Sequence, residues 1–389
     1  MAESVDALVS NTSRFTPVPV RPRLWVLREK DASSSLFFVK CKHYTTVRMI
    51  HFDSDYTSGA HPKVLERLVA TNSEHTAGYG CDDYTERAKE LIRKAIDNNE
   101  AEVMFLVGGT QTNATAIDGI LRHHEGVLAA ESGHIAVHES GAIEASGHKV
   151  LTLPHHDGKV RAEDVEHFIT EFYADETYQH MVAPGMLYIS QPTEYGTIYS
   201  LAELERLSEV CHNHDIPLYI DGARMGYALA AEGADFTLED IARLADVFYI
   251  GGTKLGTLFG EALVITNRSL LKNLFPLVKQ HGALLAKGRL LGVQFEAMFT
   301  DGLYFEIGRK AVEQALRIRE AFRRAGHEVV IESPTNQQFF RLSNDVIDRL
   351  RENVSFNYWG PRGATHSIVR FVTGWSTTAE DVDRLVGVL

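Results

Sequence analysis

The chain has 389 residues, of which 44% are hydrophobic and 23% charged, and its formal net charge is -13. This size and composition predict a globular protein with one large domain and a smaller one. The negative charge argues against a nucleic-acid partner, which needs a clustered basic surface, and no apolar run approaches the roughly 18 residues of a membrane span.

Residues 1–48 differ in charge from the rest of the chain. They carry a balance of +4, whereas the remainder has a balance of -17. The segment contains Ser and Pro, lacks helical periodicity and has no signal-peptide core. We expect an N-terminal extension that is disordered or removable. Its basic excess leaves an organelle-targeting role open.

The three cysteines are Cys41, Cys81 and Cys211. They are too few and too scattered for a disulfide framework or a zinc site. We therefore expect no metal, and a reducing, cytoplasmic compartment as the default location.

From Met49 onward, strand-like and helix-like patterns alternate along the chain. Buried strands are predicted at residues 103–107, 126–130, 149–153, 186–190, 218–221, 247–250 and 262–266. Helices are predicted at residues 62–70, 84–96, 135–146, 162–172 and 201–214, and one follows residues 108–113 and runs through Leu121. This alternation predicts an α/β domain over residues 49–300, with a mostly parallel central sheet and helices on both faces.

The pattern changes near residue 301. A long helical pattern at 303–325 leads into predicted strands and a last helix from Thr378; the strands are at 328–331, 338–342, 354–358 and 367–372. Strands that follow one long helix are typical of a compact α+β unit. We therefore predict a small C-terminal domain over residues 301–389.

Two of the predicted strands lead into a charged residue. The sequence LYIDGAR at 218–224 brings Asp221 to a strand end, and VFYIGGTK at 247–254 brings Lys254 to the next. Since the carboxyl ends of parallel strands meet at one edge of a sheet, both side chains are expected at the same rim. This pair suits pyridoxal 5'-phosphate (PLP), whose aldehyde needs a lysine amine and whose ring nitrogen needs a carboxylate.

In this hypothesis Asp221 keeps the ring nitrogen protonated, so that the ring can accept electrons. Lys254 binds the aldehyde covalently, and its burial beside the cationic cofactor ring lowers the pKa of the amine. In the alternative interpretation, Asp221 caps the turn at Gly222 and Lys254 is a loop lysine.

A glycine-rich turn precedes one of the predicted helices. Gly108, Gly109 and Thr110 lie where a buried strand gives way to a helix N-terminus. Free amides and the helix dipole favour an anion there, and glycines let a phosphate approach the backbone. An ordinary βα turn is the alternative.

Seven short motifs occur in a fixed order: FDSDYT at 52–57, GYGCDD at 78–83, GGT at 108–110, ESGHI at 131–135, DGAR at 221–224, GGTK at 251–254 and IVRFVT at 368–373. Together they resemble the threonine aldolase and β-eliminating lyase family of PLP enzymes from about Met49 to the C-terminus. This resemblance implies the aspartate-aminotransferase-like fold, known as fold type I.

The resemblance also implies roles for individual residues around the cofactor. His134 resembles the histidine that stacks on the ring face, and Gly109 with Thr110 resembles the phosphate cradle. A histidine at the start of a helix is the alternative interpretation of His134.

Other matching residues imply contacts with the substrate. Ser54 and Arg370 resemble the groups that hold the substrate carboxylate, for which an arginine offers two parallel donors. Arg224 resembles the arginine three residues after the ring-nitrogen aspartate, and is expected near both cofactor and substrate. An exposed strand residue is the alternative for Arg370.

The resemblance implies cleavage of the Cα–Cβ bond of L-threonine, or a related β-hydroxy-α-amino acid, to glycine and an aldehyde. One departure concerns the loop after residue 190, where threonine aldolases usually show Glu-Asn-Thr-His and this chain has SQPTE at 190–194. The family's histidine that contacts the substrate hydroxyl is therefore missing here, and Thr193 or Glu194 could take a related role. The alternative function is β-elimination, or other Cα chemistry, on a different amino acid.

Two other classes of protein remain as rivals. A nicotinamide-dependent dehydrogenase lacks support, because the turn at residues 108–109 is not followed by the Gly-x-Gly-x-x-Gly spacing. A catalytically inactive binding protein predicts no visible absorbance from bound PLP.

A basic segment follows the predicted sheet and contains Lys279, Lys287 and Arg289. Similarity to the family implies that it reaches the phosphate of a neighbouring subunit, in a homodimer or homotetramer with shared active sites. The alternative is a solvated helix end.

Overall fold

The structure is a computed structural model that describes residues 49–389, apart from the side chain of Leu271. The predictions made for residues 1–48 lie outside the described residues. The strands are β1 (Ile50–His51), β2 (Glu102–Leu106), β3 (Glu125–Ala130), β4 (Val150–Leu153), β5 (Ala183–Ser190), β6 (Leu218–Asp221), β7 (Val247–Gly251), β8 (Glu261–Ile265), β9 (Glu328–Ile331), β10 (Gln337–Ser343), β11 (Val354–Ser355), β12 (Asn357–Tyr358) and β13 (His366–Val372).

The α-helices lie between these strands and cover them. They are α1 (Pro62–Thr71), α2 (Asp83–Ala95), α3 (Gly109–Ile120), α4 (His134–Val137), α5 (Ala142–Ala145), α6 (Ala162–Ala174), α7 (Leu201–Asn213), α8 (Met225–Leu229), α9 (Leu238–Leu244), α10 (Leu274–Gln280), α11 (Arg289–Phe299), α12 (Leu303–Arg324), α13 (Asn344–Leu350) and α14 (Ala379–Val386). Within residues 49–389, none of these helices has the length and apolar character that crossing a membrane requires.

A seven-stranded sheet in the order β2-β8-β7-β6-β5-β3-β4 forms the centre of the described chain. Strand β8 runs antiparallel to both of its neighbours, and the other strands are mutually parallel. The prediction of a mostly parallel sheet is therefore confirmed. Strands β6 and β7 are adjacent, with Tyr219 opposite Val247 and Ile220 opposite Phe248, so their carboxyl ends lie at the same edge.

Alternate residues of the central strands enter two separate hydrophobic cores. In β6, Leu218 and Ile220 pack into one cluster, whereas Tyr219 between them packs into another. All three side chains are fully buried. A sheet buried on both faces explains why its strands read as continuous apolar runs in the sequence.

A second, four-stranded antiparallel sheet, β12-β13-β10-β9, lies in the C-terminal part of the chain. Helix α12 packs on it through Phe322, whose ring stacks on Phe340 with centroids 4.1 Å apart. Ile50 and Phe52 belong to the same hydrophobic cluster, because β1 pairs in parallel with β11. The small antiparallel C-terminal sheet was expected, and the domain boundary between residues 300 and 301 stays a prediction.

Two predicted elements were wrong in detail. The helix predicted at 135–146 is broken into α4 and α5, because Ser140 and Gly141 have φ angles of 52° and 73°, which a right-handed helix excludes. The strand predicted at 354–358 is two short strands in different sheets. Strand β11 pairs with β1 and β12 pairs with β13, on either side of the buried Phe356.

Candidate active site

Asp221 and Lys254 lie at the same edge of the central sheet. Asp221 ends β6, and Lys254 follows β7 by three residues. The amide of Gly251 donates to the carbonyl of Gly222 at 2.9 Å, so the two chain segments run side by side beyond the strands. A Cβ atom on Gly222 would lie 2.0 Å from the carbonyl oxygen of Tyr249, so this approach requires glycine.

The carboxylate of Asp221 is buried and accepts several hydrogen bonds. Its Oδ2 accepts from the hydroxyl of Tyr188 at 2.5 Å and from Nδ2 of Asn113 at 3.1 Å. Its Oδ1 accepts from the amide of Ala223 at 2.9 Å. These donors stabilise the ionised form and fix the carboxylate in one orientation.

The charge state of Asp221 is set by two opposing effects. Burial disfavours the carboxylate, but the positive charge of His134 and hydrogen bonds from Tyr188 and Tyr249 outweigh it. The pKa of Asp221 is therefore held below its ordinary value, and the group remains an anion. A buried anion at this position is what a protonated ring nitrogen needs as a partner.

His134 is connected to Asp221 through Asn113 and the buried Glu139. Nδ1 of His134 donates to Oε1 of Glu139 at 2.7 Å, and the same oxygen accepts from Nδ2 of Asn113 at 2.8 Å. The hydroxyl of Tyr219 completes the network by donating to Oδ1 of Asn113 at 2.9 Å. Burial lowers the pKa of His134, but the bond to Glu139 and the charge of Asp221 raise it by more. The pKa is therefore above its ordinary value, which favours the imidazolium.

The amine of Lys254 has neither a hydrogen bond nor an ion pair with any residue in the described part of the chain. It lines a cavity together with Asp221. Burial and the charge of Arg224 lower its pKa, against the opposing charges of Asp55 and Asp221. An unpartnered amine with a lowered pKa has more of the neutral, nucleophilic form.

Glu261 lies in the same cavity wall and was not found from the sequence. Its Oε2 accepts from the amide of Gly252 at 3.0 Å. Burial raises its pKa to about 8, although Thr253 and the charge of Lys254 oppose the shift. Glu261 therefore holds the turn that carries Lys254, and its burial favours the protonated form.

The cavity around Lys254 has a volume of about 330 Å³, which lies within the range of small-molecule sites. Gly108, Gly109 and Thr110 line it, as does His134. Helix α3 begins at Gly109 and has no side-chain cap, so its first amides are open to a ligand. A Cβ atom on Gly109 would come within 3.2 Å of the Tyr249 hydroxyl.

A second cavity, of about 600 Å³, adjoins the first. Arg370 lies in its wall, with Nη1 donating to Oε1 of Gln337 at 3.0 Å and its guanidinium 5.2 Å from the ring centre of Trp359. Within the described residues, Nε of Arg370, Nε2 of Gln337 and the hydroxyl of Tyr358 are buried without partners. Burial first, and the charge of Arg224 second, lower the pKa of Arg370 to about 10.

Ser54 and Arg224, two of the predicted substrate contacts, lie in different surroundings. Ser54 is not part of either cavity wall, although its neighbour Tyr56 lines both. Arg224 lines both cavities, but its Nε and Nη2 are held by Asp55 at 2.7 and 3.0 Å. The contacts of Ser54 and Arg224 with cofactor or substrate stay predictions.

The basic segment is divided between several environments. The amine of Lys279 lies 4.7 Å from the ring centre of Tyr79, and Arg289 donates to the carbonyls of Thr71 and Asn72 at 2.8 and 3.2 Å. Lys287 is exposed. Arg289 therefore closes the C-terminal end of α1, and the approach of the basic segment to a neighbour's phosphate stays a prediction.

A model of the β-eliminating lyase family matches residues 51–345. The chain belongs to the threonine aldolase and β-eliminating lyase family. Members of this family depend on PLP. Among relatives of this lyase, the low specificity L-threonine aldolase of Pseudomonas sp. (strain NCIMB 10558) is 29% identical over 341 residues, covering 86% of this chain and 95% of that protein.

Solved structures agree with this assignment. Leishmania major threonine aldolase superposes on the lyase with a TM-score of 0.84 at 43% identity, covering 87% of this chain and 98% of that chain. A mutant aspartate aminotransferase of Thermus thermophilus gives a TM-score of 0.64 at 17% identity, covering 88% and 91%. The second comparison shows the fold alone, and confirms the prediction of an aspartate-aminotransferase-like fold.

The residues of the lyase fit the PLP that its family uses. An ionised Asp221, an unpartnered Lys254 amine and the open start of α3 all border one cavity of suitable size. Within residues 49–389, no group of three or more His, Cys, Asp or Glu side chains is arranged to hold a metal ion.

Proposed function

We propose that this lyase cleaves the Cα–Cβ bond of L-threonine, or of a related β-hydroxy-α-amino acid, to give glycine and an aldehyde. One observation carries the proposal: the cavity that fits PLP adjoins a second cavity lined by Arg370, whose Nε has no hydrogen-bond partner within the described residues. An amino-acid substrate presents its amine to the first cavity and its carboxylate to the second. The named activities of the Pseudomonas and Leishmania relatives support this reaction.

In this proposal four groups hold the cofactor. Lys254 binds its aldehyde carbon, Asp221 keeps the ring nitrogen protonated, and the amides of Gly109 and Thr110 bind its phosphate. His134 covers the ring face, held in place by its bond to Glu139. When bound, PLP supplies an electron-accepting ring for the pair released from the broken carbon–carbon bond.

Arg370 orients the substrate. Its guanidinium has lost much of its hydration through burial, and its Nε has no partner within the described residues, so a carboxylate gains a charge-assisted hydrogen bond there. Fixing the carboxylate turns the scissile bond toward the electron-accepting ring, which is a positioning effect on the rate.

The first test is spectroscopic and covalent. The purified protein should absorb visible light through bound PLP, and borohydride should fix the cofactor to the peptide that contains Lys254. Lys254→Ala should remove that attachment, whereas Lys94→Ala, at an exposed lysine of α2, should retain it. A protein that neither takes up PLP nor loses anything in Lys254→Ala would be the catalytically inactive protein described above.

The second test is the product. L-threonine should yield equal amounts of glycine and acetaldehyde, measured by amino-acid analysis and by coupled aldehyde reduction. Pyruvate or another oxo acid with ammonia, and no glycine, would replace the aldolase reaction by β-elimination on a different amino acid.

We further propose that the lyase is a homodimer or homotetramer with shared active sites, in the cytoplasm. Backbone amides alone do not neutralise the charge of a phosphate, so we expect a cation from a neighbouring subunit beside it. Lys287 is an exposed cation without a hydrogen-bond or ion-pair partner in the described chain. Native mass at micromolar concentration tests the assembly, and a monomer contradicts it. Lys287→Ala should weaken PLP binding in a shared site, and cell fractionation tests the location.

A further inference from the structure

Glu194 occupies the junction of the two cavities. Five residues line both of them: Tyr56, His134, Glu194, Arg224 and Lys254. If the amine of a substrate lies toward Lys254 and its carboxylate toward Arg370, then Cα and Cβ lie between the cavities. The side chains at the junction are therefore the ones that can reach the β-hydroxyl.

Both hydrogen bonds that other residues make with the Glu194 carboxyl reach the same oxygen. Oε1 accepts from Oγ of Ser190 at 2.7 Å and from the amide of His134 at 3.1 Å. Within residues 49–389, no other residue donates to Oε2. One oxygen is thus anchored, and the other remains available to a ligand.

The turn that carries Glu194 is held rigidly. The amide of Thr193 donates to the carbonyl of Thr197 at 2.9 Å, and the carbonyl of Gly196 accepts from the hydroxyls of Ser333 and Thr335 at 3.0 and 3.1 Å. Gly196 has a φ of 71°, and a Cβ atom there would lie 2.3 Å from the Ser333 hydroxyl. The carboxyl group is therefore positioned by the fold.

The other residues at the junction are unsuited to removing a proton. Burial lowers the pKa of His134, but the bond from Nδ1 to Glu139 outweighs this effect, so the imidazolium, which cannot accept a proton, is favoured. Arg224 is a permanent cation paired with Asp55. Lys254 is the residue that binds the cofactor aldehyde in the proposed function, and the side chain of Tyr56 is largely exposed.

The proton affinity of Glu194 is also suited to this task. Burial raises its pKa, and the negative charge of Asp221 adds to the shift, against the bond from Ser190 and the charge of His134. A carboxylate with a raised pKa is a stronger base than one in water, and a base works best when its pKa lies near the operating pH.

We infer that Glu194 is the general base that takes the β-hydroxyl proton of the substrate through Oε2. The O–H bond breaks to form an O–H bond on Glu194, and the freed oxygen pair becomes the second bond of the aldehyde C=O. The Cα–Cβ bond breaks and its electron pair stays with Cα, where bound PLP would supply the electron-accepting ring. Cα is then protonated to give glycine, and Glu194 loses its proton, so no other reactant is needed. This inference rests on the proposed function.

Glu194→Gln tests the inference, because glutamine keeps the shape and the Ser190 contact but cannot accept the proton. We expect kcat for L-threonine to fall about 100-fold or more, the usual contribution of a general base. The acidic limb of the wild-type pH profile of kcat/KM, where the base becomes protonated, should disappear. Glu209→Gln, the same change at an exposed position of α7, is the matched control and should equal the wild type.

Glycine supplies the second readout, because it has no β-hydroxyl. Glu194→Gln should retain PLP affinity and the exchange of the glycine α-hydrogen with deuterium within about threefold, measured by fluorescence titration and NMR. Threonine cleavage within threefold of wild type, or an unchanged acidic limb, would overturn the role of Glu194. Equal loss of cleavage and of exchange would also overturn it, since Glu194 would then only maintain the site.

Failure of the proposed function gives a different result. If the wild type exchanges the glycine α-hydrogen but releases no aldehyde from L-threonine, L-allo-threonine or a β-aryl serine, the proposed cleavage reaction is refuted. The inferred role of Glu194 then falls with it. If the wild type cleaves these substrates and Glu194→Gln does so equally, only the role of Glu194 is refuted.

Discussion

Asn113 holds together two buried acids, and its removal tests how the cofactor site is stabilised. Its Nδ2 donates one hydrogen to Oδ2 of Asp221 at 3.1 Å and one to Oε1 of Glu139 at 2.8 Å. Each is a hydrogen bond to a buried, charged acceptor, a type that contributes about 1.5 to 3 kcal/mol. Both acids keep other donors in Asn113→Ala, so we take the low end for each.

The two bonds that Nδ2 donates therefore account for a loss of about 3 kcal/mol in the free energy of unfolding, or about a hundredfold in the unfolding equilibrium constant, and loss of the bond that Oδ1 accepts from Tyr219 adds to it. Urea denaturation of the cofactor-free protein measures this quantity without any contribution from PLP binding. The loss should appear as a lower urea midpoint with an unchanged slope.

Thr115 on the same helix provides the matched control. It is fully buried, and its hydroxyl has no hydrogen-bond partner within the described residues. Thr115→Val removes that hydroxyl at nearly constant volume and should leave stability unchanged or slightly raised. If Asn113→Ala and Thr115→Val shift the urea midpoint equally, the two hydrogen bonds of Asn113 do not stabilise the site, and the reasoning fails.

Three further outcomes follow from single contacts. Glu296→Gln breaks an ion pair with two partly exposed arginines, which hold the pKa of Glu296 below its ordinary value despite burial; it should cost about 1 kcal/mol at neutral pH, and the wild type should lose stability as pH falls through that lowered pKa. Gly222→Ala should abolish PLP uptake, measured by absorbance, because its Cβ meets the Tyr249 carbonyl at 2.0 Å, whereas Gly59→Ala, with no atom within 4 Å, should not. Arg370→Lys should raise the KM for L-threonine at least tenfold, with PLP affinity unchanged, because an ammonium cannot reproduce the guanidinium donors.

Much of the central sheet was predictable because its strands are buried on both faces. Residues that are apolar without interruption, such as those of β6, give a strong signal, and β6 begins and ends where the sequence predicted. The rim position of Asp221 and Lys254 followed from the same rule, since parallel strands bring their carboxyl ends to one edge. Glycines that follow these strands permit the close approach.

The hydrogen-bond network of the site was not predictable in the same way. Glu139 follows His134 by five residues and lies between α4 and α5. The backbone turn at Ser140 and Gly141 that separates these helices leaves no periodic signal in the sequence. Asn113 lies in α3, just after the glycine-rich turn that the sequence singled out for phosphate binding, so its side chain received no role. Contacts between distant segments, such as Arg224 with Asp55, depend on packing that one sequence does not encode locally.

The titratable groups of the site divide into two kinds, and their partners explain the division. Asp221 and His134 attract one another and hold hydrogen bonds, so the pKa of the acid is lowered and that of the imidazole is raised, which favours the charged form of each. Within residues 49–389, Lys254 has no partner for its amine and Glu194 has none from another residue for Oε2, so burial prevails: it lowers the pKa of the amine and raises that of the carboxyl. Shifts in these directions bring the proton affinities of Lys254 and Glu194 closer together, which favours proton exchange with a substrate. The same burial therefore gives fixed charges where partners are present and exchangeable protons where they are absent.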